Sequence, residues 1–237
     1  MPSRHFGESE SVSKSCYPQL PFNPVRLSRS FFTRDGITLA KDLLGKILVH
    51  ETSVGTVRGV ITEVESYMGE QDKGSHTYGG KRTERTEPMY HIGGTSYVYL
   101  IYGMYSCMNI AAMTDGIPQA VLLRSVIPAD AESEARMIRL RLEQLNRRQA
   151  KKNMPPYTAE TCPASLRKHL ADGPGKLCTA MEITRGDNDV DMAKSDSFYV
   201  TEGAYIAPEK ILAGKRIGID YAEEAADYLW RFYVEDI

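Results

Sequence analysis

The chain has 237 residues, 42% of them hydrophobic and 25% charged, with a formal net charge of −2. That is the composition of an ordinary globular protein with enough apolar side chains for a sizeable core. It argues against a protein that grips nucleic acid through bulk positive charge, and no apolar run reaches the ~18 residues that a membrane helix needs.

Residues 1–25 are rich in Ser, Pro and charge and carry no apolar signal-peptide core, so they are expected to form a flexible tail or peripheral wrap. Residues 26–237 are expected to form a single domain. "TRDGITLAKDLLG" (33–45) spaces Leu39, Leu43 and Leu44 helically and stops at a glycine, which predicts a short capped helix. "KILVHET" and "TVRGVITEVES" read as strands joined by "SVG". Residues 68–94 are glycine-rich and charged, without periodicity, and predict a long functional loop. Strands follow over 95–101 and 105–112, turning at "YGM", and then "QAVLLRSVI" (119–127). Asp130 can cap a helix over about 131–146, with Ala131, Ala135, Ile138, Leu142 and Leu145 on one face. Pro174 marks another helix start, with Lys176 in its first turn. Short strands over 196–201 and 215–219 precede a last one at "WRFYV". Neighbouring strands with helices inserted between them predict an α+β fold rather than a doubly wound sheet.

Cys16, Cys107, Cys162 and Cys178 are scattered without a C-x-x-C pair, and the five histidines lack ligand spacing. No metal, cofactor or disulfide framework is implied, and the thiols read as idle in a reducing cytosol. The strongly basic "RLRLEQLNRRQAKK" (139–152) reads first as a solvated helix face or mobile loop.

Strand alternation puts Ile61, Glu63, Glu65 and Tyr67 on one face. An exposed face is the simpler reading of two adjacent carboxylates, because burying charge is costly. At the junction with the long loop, Glu65 could instead reach a cleft and act as a general base. His76, alone among glycines, reads as a surface residue or as a ligand-facing one. Arg124, one cation in an apolar strand, needs a carboxylate partner, and Glu65 is available. Tyr97, Tyr99 and Tyr105 fit a buried hairpin. Tyr102, at the turn beside a glycine, fits it poorly and suits a wedge between stacked bases.

Together these segments resemble the alkyladenine (3-methyladenine) DNA glycosylase family. The resemblance rests on "AKDLLGKILV" (40–49), "TEVESYMGEQDKGSHTYGGKRTERTEPMY" (62–90), "GTSYVYLIYGMYSCMNI" (94–110), "AVLLRSVIP" (120–128), "GPGKLCTAMEI" (173–183) and "RFYV" (231–234). It implies a curved antiparallel sheet with surrounding helices and a protruding β-hairpin. The implied activity is monofunctional hydrolysis of the N-glycosidic bond of alkylated or deaminated purines flipped out of duplex DNA, which starts base excision repair. The implied substrates are 3-methyladenine, 7-methylguanine, hypoxanthine and ethenoadenine. By resemblance Glu65 is the general base, Arg124 helps to hold the water, and Val234 contributes its backbone carbonyl. Tyr67, His76 and Tyr99 form the base pocket, and Asn109 discriminates against the guanine amino group. Tyr102, with Met104 beside it, meets the DNA, and Lys81, Arg82, Arg85 and Lys176 are candidate phosphate contacts along with the 139–152 segment. The resemblance further implies an intracellular monomer working on DNA, in the nucleoid or nucleus, without metal. Two other classes stay open: a module that binds damaged DNA without cleaving it, and a hydrolase or transferase of a small molecule.

Overall fold

The computed structural model describes residues 25–235 apart from Tyr102 and Ala159. Of the expected N-terminal tail, all but Val25 lies outside the described residues. The strands are β1 (Ile47–Thr52), β2 (Gly55–Tyr67), β3 (Ser96–Ile101), β4 (Tyr105–Ala111), β5 (Ala120–Pro128), β6 (Phe198–Thr201), β7 (Leu212–Gly214) and β8 (Arg231–Tyr233). The helices are α1 (Arg29–Phe32), α2 (Gly36–Leu43), α3 (Glu87–Tyr90), α4 (Ala131–Ala150), α5 (Ala164–Lys168) and α6 (Pro174–Ala180). The strands form one curved antiparallel sheet in the order β3-β4-β5-β2-β1-β6, so the architecture is α+β as expected. The 13-residue β2 organises it. One edge of β2 carries β5 over residues 59–67, while the other carries β1 over residues 55–60 and β8 over 63–65, with β7 beyond β8.

Local chemistry accounts for most boundaries. Asp35 caps α2 by accepting from the amides of Ile37 and Thr38. Gly45 lies just beyond that helix at φ 79°, where a Cβ would stand 2.5 Å from the Ala204 carbonyl. The apolar faces of β2, β4 and β5 and of helices α4 and α6 then build one core, containing Val57, Ile61, Val64, Met108, Leu123, Met137, Leu177 and Met181.

Two expectations need correction. The 215–219 strand does not form: the strand is β7 at 212–214, and residues 215–219 are irregular. Helix α4 runs to Ala150, and it buries Ser133, Met137, Ile138, Leu140, Arg141 and Leu142 while Ala131 and Ala135 are exposed. Its inward face is set by Ser133, whose hydroxyl accepts from the Arg58 amide on β2, and this docks the helix start through a polar residue.

A buried histidine fastens the outer part of the sheet. His50 Nδ1 donates to the Met181 carbonyl at 2.7 Å, and Nε2 lies 3.3 Å from Asp187. Asp187 in turn offers its carbonyl to Ser96 Oγ, and the Asp189 amide bonds the Ser96 carbonyl, so this segment covers the free edge of β3. Burial lowers the proton affinity of His50, but the hydrogen bonds to Asp187 and Met181 outweigh it and the net shift is upward. A raised folded-state value means that the ion pair contributes fully below the ordinary histidine range and fades as pH rises through the folded value. Asp187→Asn should therefore cost about 1.5–3 kcal/mol in urea unfolding at pH 6 and markedly less at pH 9. An equal cost at both pH values would rule out the charged pair.

Candidate active site

Alternation along β2 breaks at Thr62. In the pairing with β5, Ile61 faces Val126, Glu63 faces Ser125 and Val64 faces Leu123, so Thr62 and Arg124 are both passed over. Paired bulges re-aim side chains, and each is pinned from outside the strand pair. The Val234 amide bonds the Thr62 carbonyl at 3.0 Å, and the Gly173 amide bonds the Arg124 carbonyl at 2.8 Å. Gly173 adopts φ 134°, a conformation that favours glycine. Ile61 consequently joins the core while Glu63, Glu65 and Tyr67 share the opposite face, which corrects the expectation that all four lie together.

That face is not exposed. Glu65 has no accessible surface, contrary to the simpler reading of the sequence. Its Oε2 accepts from the Tyr67 hydroxyl at 2.9 Å, and its Oε1 accepts from the Ile217 amide at 2.8 Å and lies 3.1 Å from Arg124 Nη1. Arg124 Nε simultaneously donates to Glu63 Oε1 at 2.9 Å, and Arg231 reaches the same oxygen at 3.1 Å. Burial pushes the Glu65 carboxyl above its ordinary value, while Arg124, the Ile217 amide and the Tyr67 hydroxyl hold it down against that push. Burial also raises Tyr67 well above the usual tyrosine value, which keeps it a donor.

The Ile217 amide depends on residues the sequence did not single out. Arg216 and Asp72 pair at 2.5 and 2.7 Å with no side-chain exposure on either partner. Arg216 also donates to the carbonyls of Ser66 and Ala225 and lies between the rings of Tyr67 and Trp230, 4.8 and 5.0 Å from their centroids. One arginine thus anchors the 215–219 segment to the end of β2 and to the loop after it. Neither residue shows a sequence signal, because the partners are 144 positions apart.

Beside this cluster is a cavity of about 450 Å³ lined by Tyr67, His76, Tyr99, Asn109, Arg124 and Ile217, among others. Tyr97 and Tyr99 stack with centroids 5.2 Å apart, and His76 meets Tyr99 edge-on at 4.7 Å. His76 Nδ1 is 2.9 Å from the Tyr97 hydroxyl. Burial, with Arg85 and Lys81 nearby, pushes His76 down to about 4, so the ring is neutral at neutral pH. Asn109 sits across from Tyr97 in the β3–β4 hairpin, buried, and donates to the Tyr97 carbonyl at 3.2 Å. Of the expected site residues, Glu65, Arg124, Tyr67, His76, Tyr99 and Asn109 therefore converge. Val234 is buried just beyond β8, at the Thr62 bulge.

Residues 30–237 match the sequence pattern of the methylpurine-DNA glycosylase family. A protein of Clostridium acetobutylicum is 46% identical over 89% of this chain and 95% of its own length. Relatives in Clostridium perfringens (strain SM101) and Clostridium novyi are 42% and 44% identical over similar shares. All three carry names that assign them provisionally as 3-methyladenine DNA glycosylases. The chain belongs to the methylpurine-DNA glycosylase family. It is accordingly a hydrolase of N-glycosyl bonds in DNA.

On this glycosylase the basic residues of the rim differ in availability. Lys81 is exposed. Arg82 is held bidentately by Glu87 at 2.8 and 2.5 Å and stacks on Tyr90. Lys176 pairs with Asp172 at 2.8 Å, and Arg148 bonds the Tyr105 hydroxyl. Arg141 of α4 is buried and its Nε has no hydrogen-bond partner, so the 139–152 segment is only partly the solvated face expected. Met104 is 71% exposed at the hairpin tip, and Tyr102 lies outside the described residues. No helix among the described residues is long and apolar enough to cross a membrane.

Removing one partner of a fully buried ion pair strands the other charge. Asp72→Ala should lower stability by roughly 3–5 kcal/mol in urea unfolding. A loss under about 1 kcal/mol would show that Arg216 finds other partners and that the pair does not anchor the 215–219 segment.

Proposed function

We propose that this glycosylase takes an alkylated or deaminated purine out of duplex DNA into the aromatic cavity and hydrolyses its bond to the sugar with water activated by Glu65. The observation that carries the reading is a carboxylate buried without exposure and held by an arginine, an amide and a phenol, each of whose residues lines the cavity. N-glycosidic cleavage develops positive charge on the sugar, and a fixed anion in a site of low dielectric favours that charge. With both Glu65 oxygens already accepting hydrogen bonds, a water reaches the carboxylate by displacing the Tyr67 hydroxyl or by sharing an oxygen with it. Arg124 then has two tasks, neutralising Glu63 and keeping Glu65 in its basic form.

The tyrosine faces supply stacking for a flipped base, which offsets part of the few kcal/mol lost on unstacking it. Cationic 3-methyladenine and 7-methylguanine also gain from the ring faces by cation–π attraction. A neutral His76 can accept or donate a hydrogen bond at the base edge, but it is not a proton source near pH 7. Asn109, buried opposite Tyr97, is suited to exclude a guanine amino group, and Tyr102 with Met104 to fill the gap left in the duplex. 3-Methyladenine, 7-methylguanine, hypoxanthine and ethenoadenine are the expected lesions.

A duplex carrying one hypoxanthine or one ethenoadenine, treated with alkali after incubation, reports an abasic site as strand cleavage. Wild type should give cleavage, and Glu65→Gln should give at least 10³-fold less while still retarding the lesion duplex in a gel. Cleavage by the variant at the wild-type rate would remove Glu65 from the chemistry. Binding without cleavage by wild type would favour the non-catalytic module.

The pH profile offers a second check. A general base must be ionised, so kcat/KM should rise through the Glu65 value, which burial places above the ordinary carboxylate value. Arg124→Gln removes the strongest influence holding it down, so the acid limb should move to higher pH. An acid limb that stays in place or moves to lower pH would contradict the coupling.

A further inference from the structure

The mouth of the cavity carries a cation that the proposed chemistry does not use. The Arg85 guanidinium lies 5.1 Å above the centroid of the Tyr99 ring. Arg85, Tyr99 and Leu100 line the cavity and also an adjoining groove of about 700 Å³ whose walls include Glu84 and Asn188, so these three residues form the partition between the two spaces. Several other charges nearby are matched, Glu63 and Glu65 by Arg124 and Arg231 and Arg82 by Glu87. Among the described residues no carboxylate lies within ion-pair distance of Arg85. Its positive charge therefore acts on whatever stacks against Tyr99. The same charge, with that of Lys81, adds to the burial that keeps His76 neutral.

We propose that Arg85 sets the balance between charged and neutral lesions, disfavouring a base with a fixed positive charge relative to a neutral one. The inference rests on the proposed glycosylase reading. Two like charges on one ring repel, and although Arg85 is exposed, the cavity wall beside it leaves screening weaker than in bulk water. A neutral base meets no such repulsion. It can stack on Tyr99 while the guanidinium stays over the ring or turns into the adjoining groove. This assignment differs from a phosphate contact, which would strengthen binding of every duplex alike and add to its salt dependence.

The test compares single-lesion duplexes carrying 7-methylguanine, a fixed cation, or ethenoadenine, which is neutral, with wild type, Arg85→Gln and Arg85→Lys. Arg85→Gln should raise the ratio of kcat/KM for 7-methylguanine over ethenoadenine about tenfold, equivalent to about 1.4 kcal/mol, and Arg85→Lys should restore most of the wild-type ratio. An unchanged ratio would overturn the proposal. So would an equal loss on both lesions with a shallower salt dependence, which would make Arg85 a phosphate contact. Excision by wild type of neither lesion, nor of hypoxanthine or of 3-methyladenine from methylated DNA, would sink the glycosylase reading and this inference with it, whereas wild-type excision with an unmoved ratio would sink this inference alone.

Discussion

A carboxylate with no exposed surface determines how the surrounding structure must be built. Buried alone, Glu65 would take up a proton, because the low-dielectric interior disfavours its charge. Donors oppose that push, and they come from three separate parts of the chain: Arg124 from β5, the Ile217 amide from the irregular 215–219 segment, and Tyr67 two residues along its own strand. Each of these has a structural support of its own. The bulge that turns Arg124 inward is held by Gly173, and the segment bearing Ile217 is held by Arg216 on Asp72. The unusual backbone of the region is therefore explained by the electrostatic needs of one group.

The same economy of charge extends to the surface. The stretch 220–227 is acidic, yet Lys73 pairs with Glu223 and Glu224, and Lys215 with Asp227. Exposed pairs like these add little stability, but they cancel the local negative field. Arg82 and Lys176 are likewise committed to carboxylates, while among the described residues neither the exposed Lys81 nor Arg85, which lines the cavity, has an ion pair. A chain of net charge −2 can thus present a positive mouth, because whole-chain charge averages over pairs that neutralise one another.

Where the sequence led to the right structure, the signal was local. The hydrophobic alternation of β1 to β5, the Asp35 and Asp130 caps and the Pro174 helix start all depend on neighbours within a few residues. The readings that failed depended on distant partners. Residues 215–219 have strand-like composition, but Arg216 turns inward to Asp72 and takes the segment out of the sheet. Ile61 parts from Glu63 because a bulge at Thr62 shifts the alternation by one, and no local motif announces that bulge. Helix α4 kept its place and its cap, but its buried face was displaced because Ser133, a polar residue, is the one that docks.

The sequence by itself determined the family and the residue types of the site, since an ordered set of motifs with a carboxylate, a histidine, tyrosines and an asparagine is information carried by residue identity and spacing. Tertiary structure alone decided that Glu65 is buried rather than exposed, that Arg124 serves two carboxylates, and that Arg216 and Asp72 underlie the site. The physical reason is that burial and ion pairing arise from through-space proximity, and alternation along a strand loses its predictive value once a bulge intervenes.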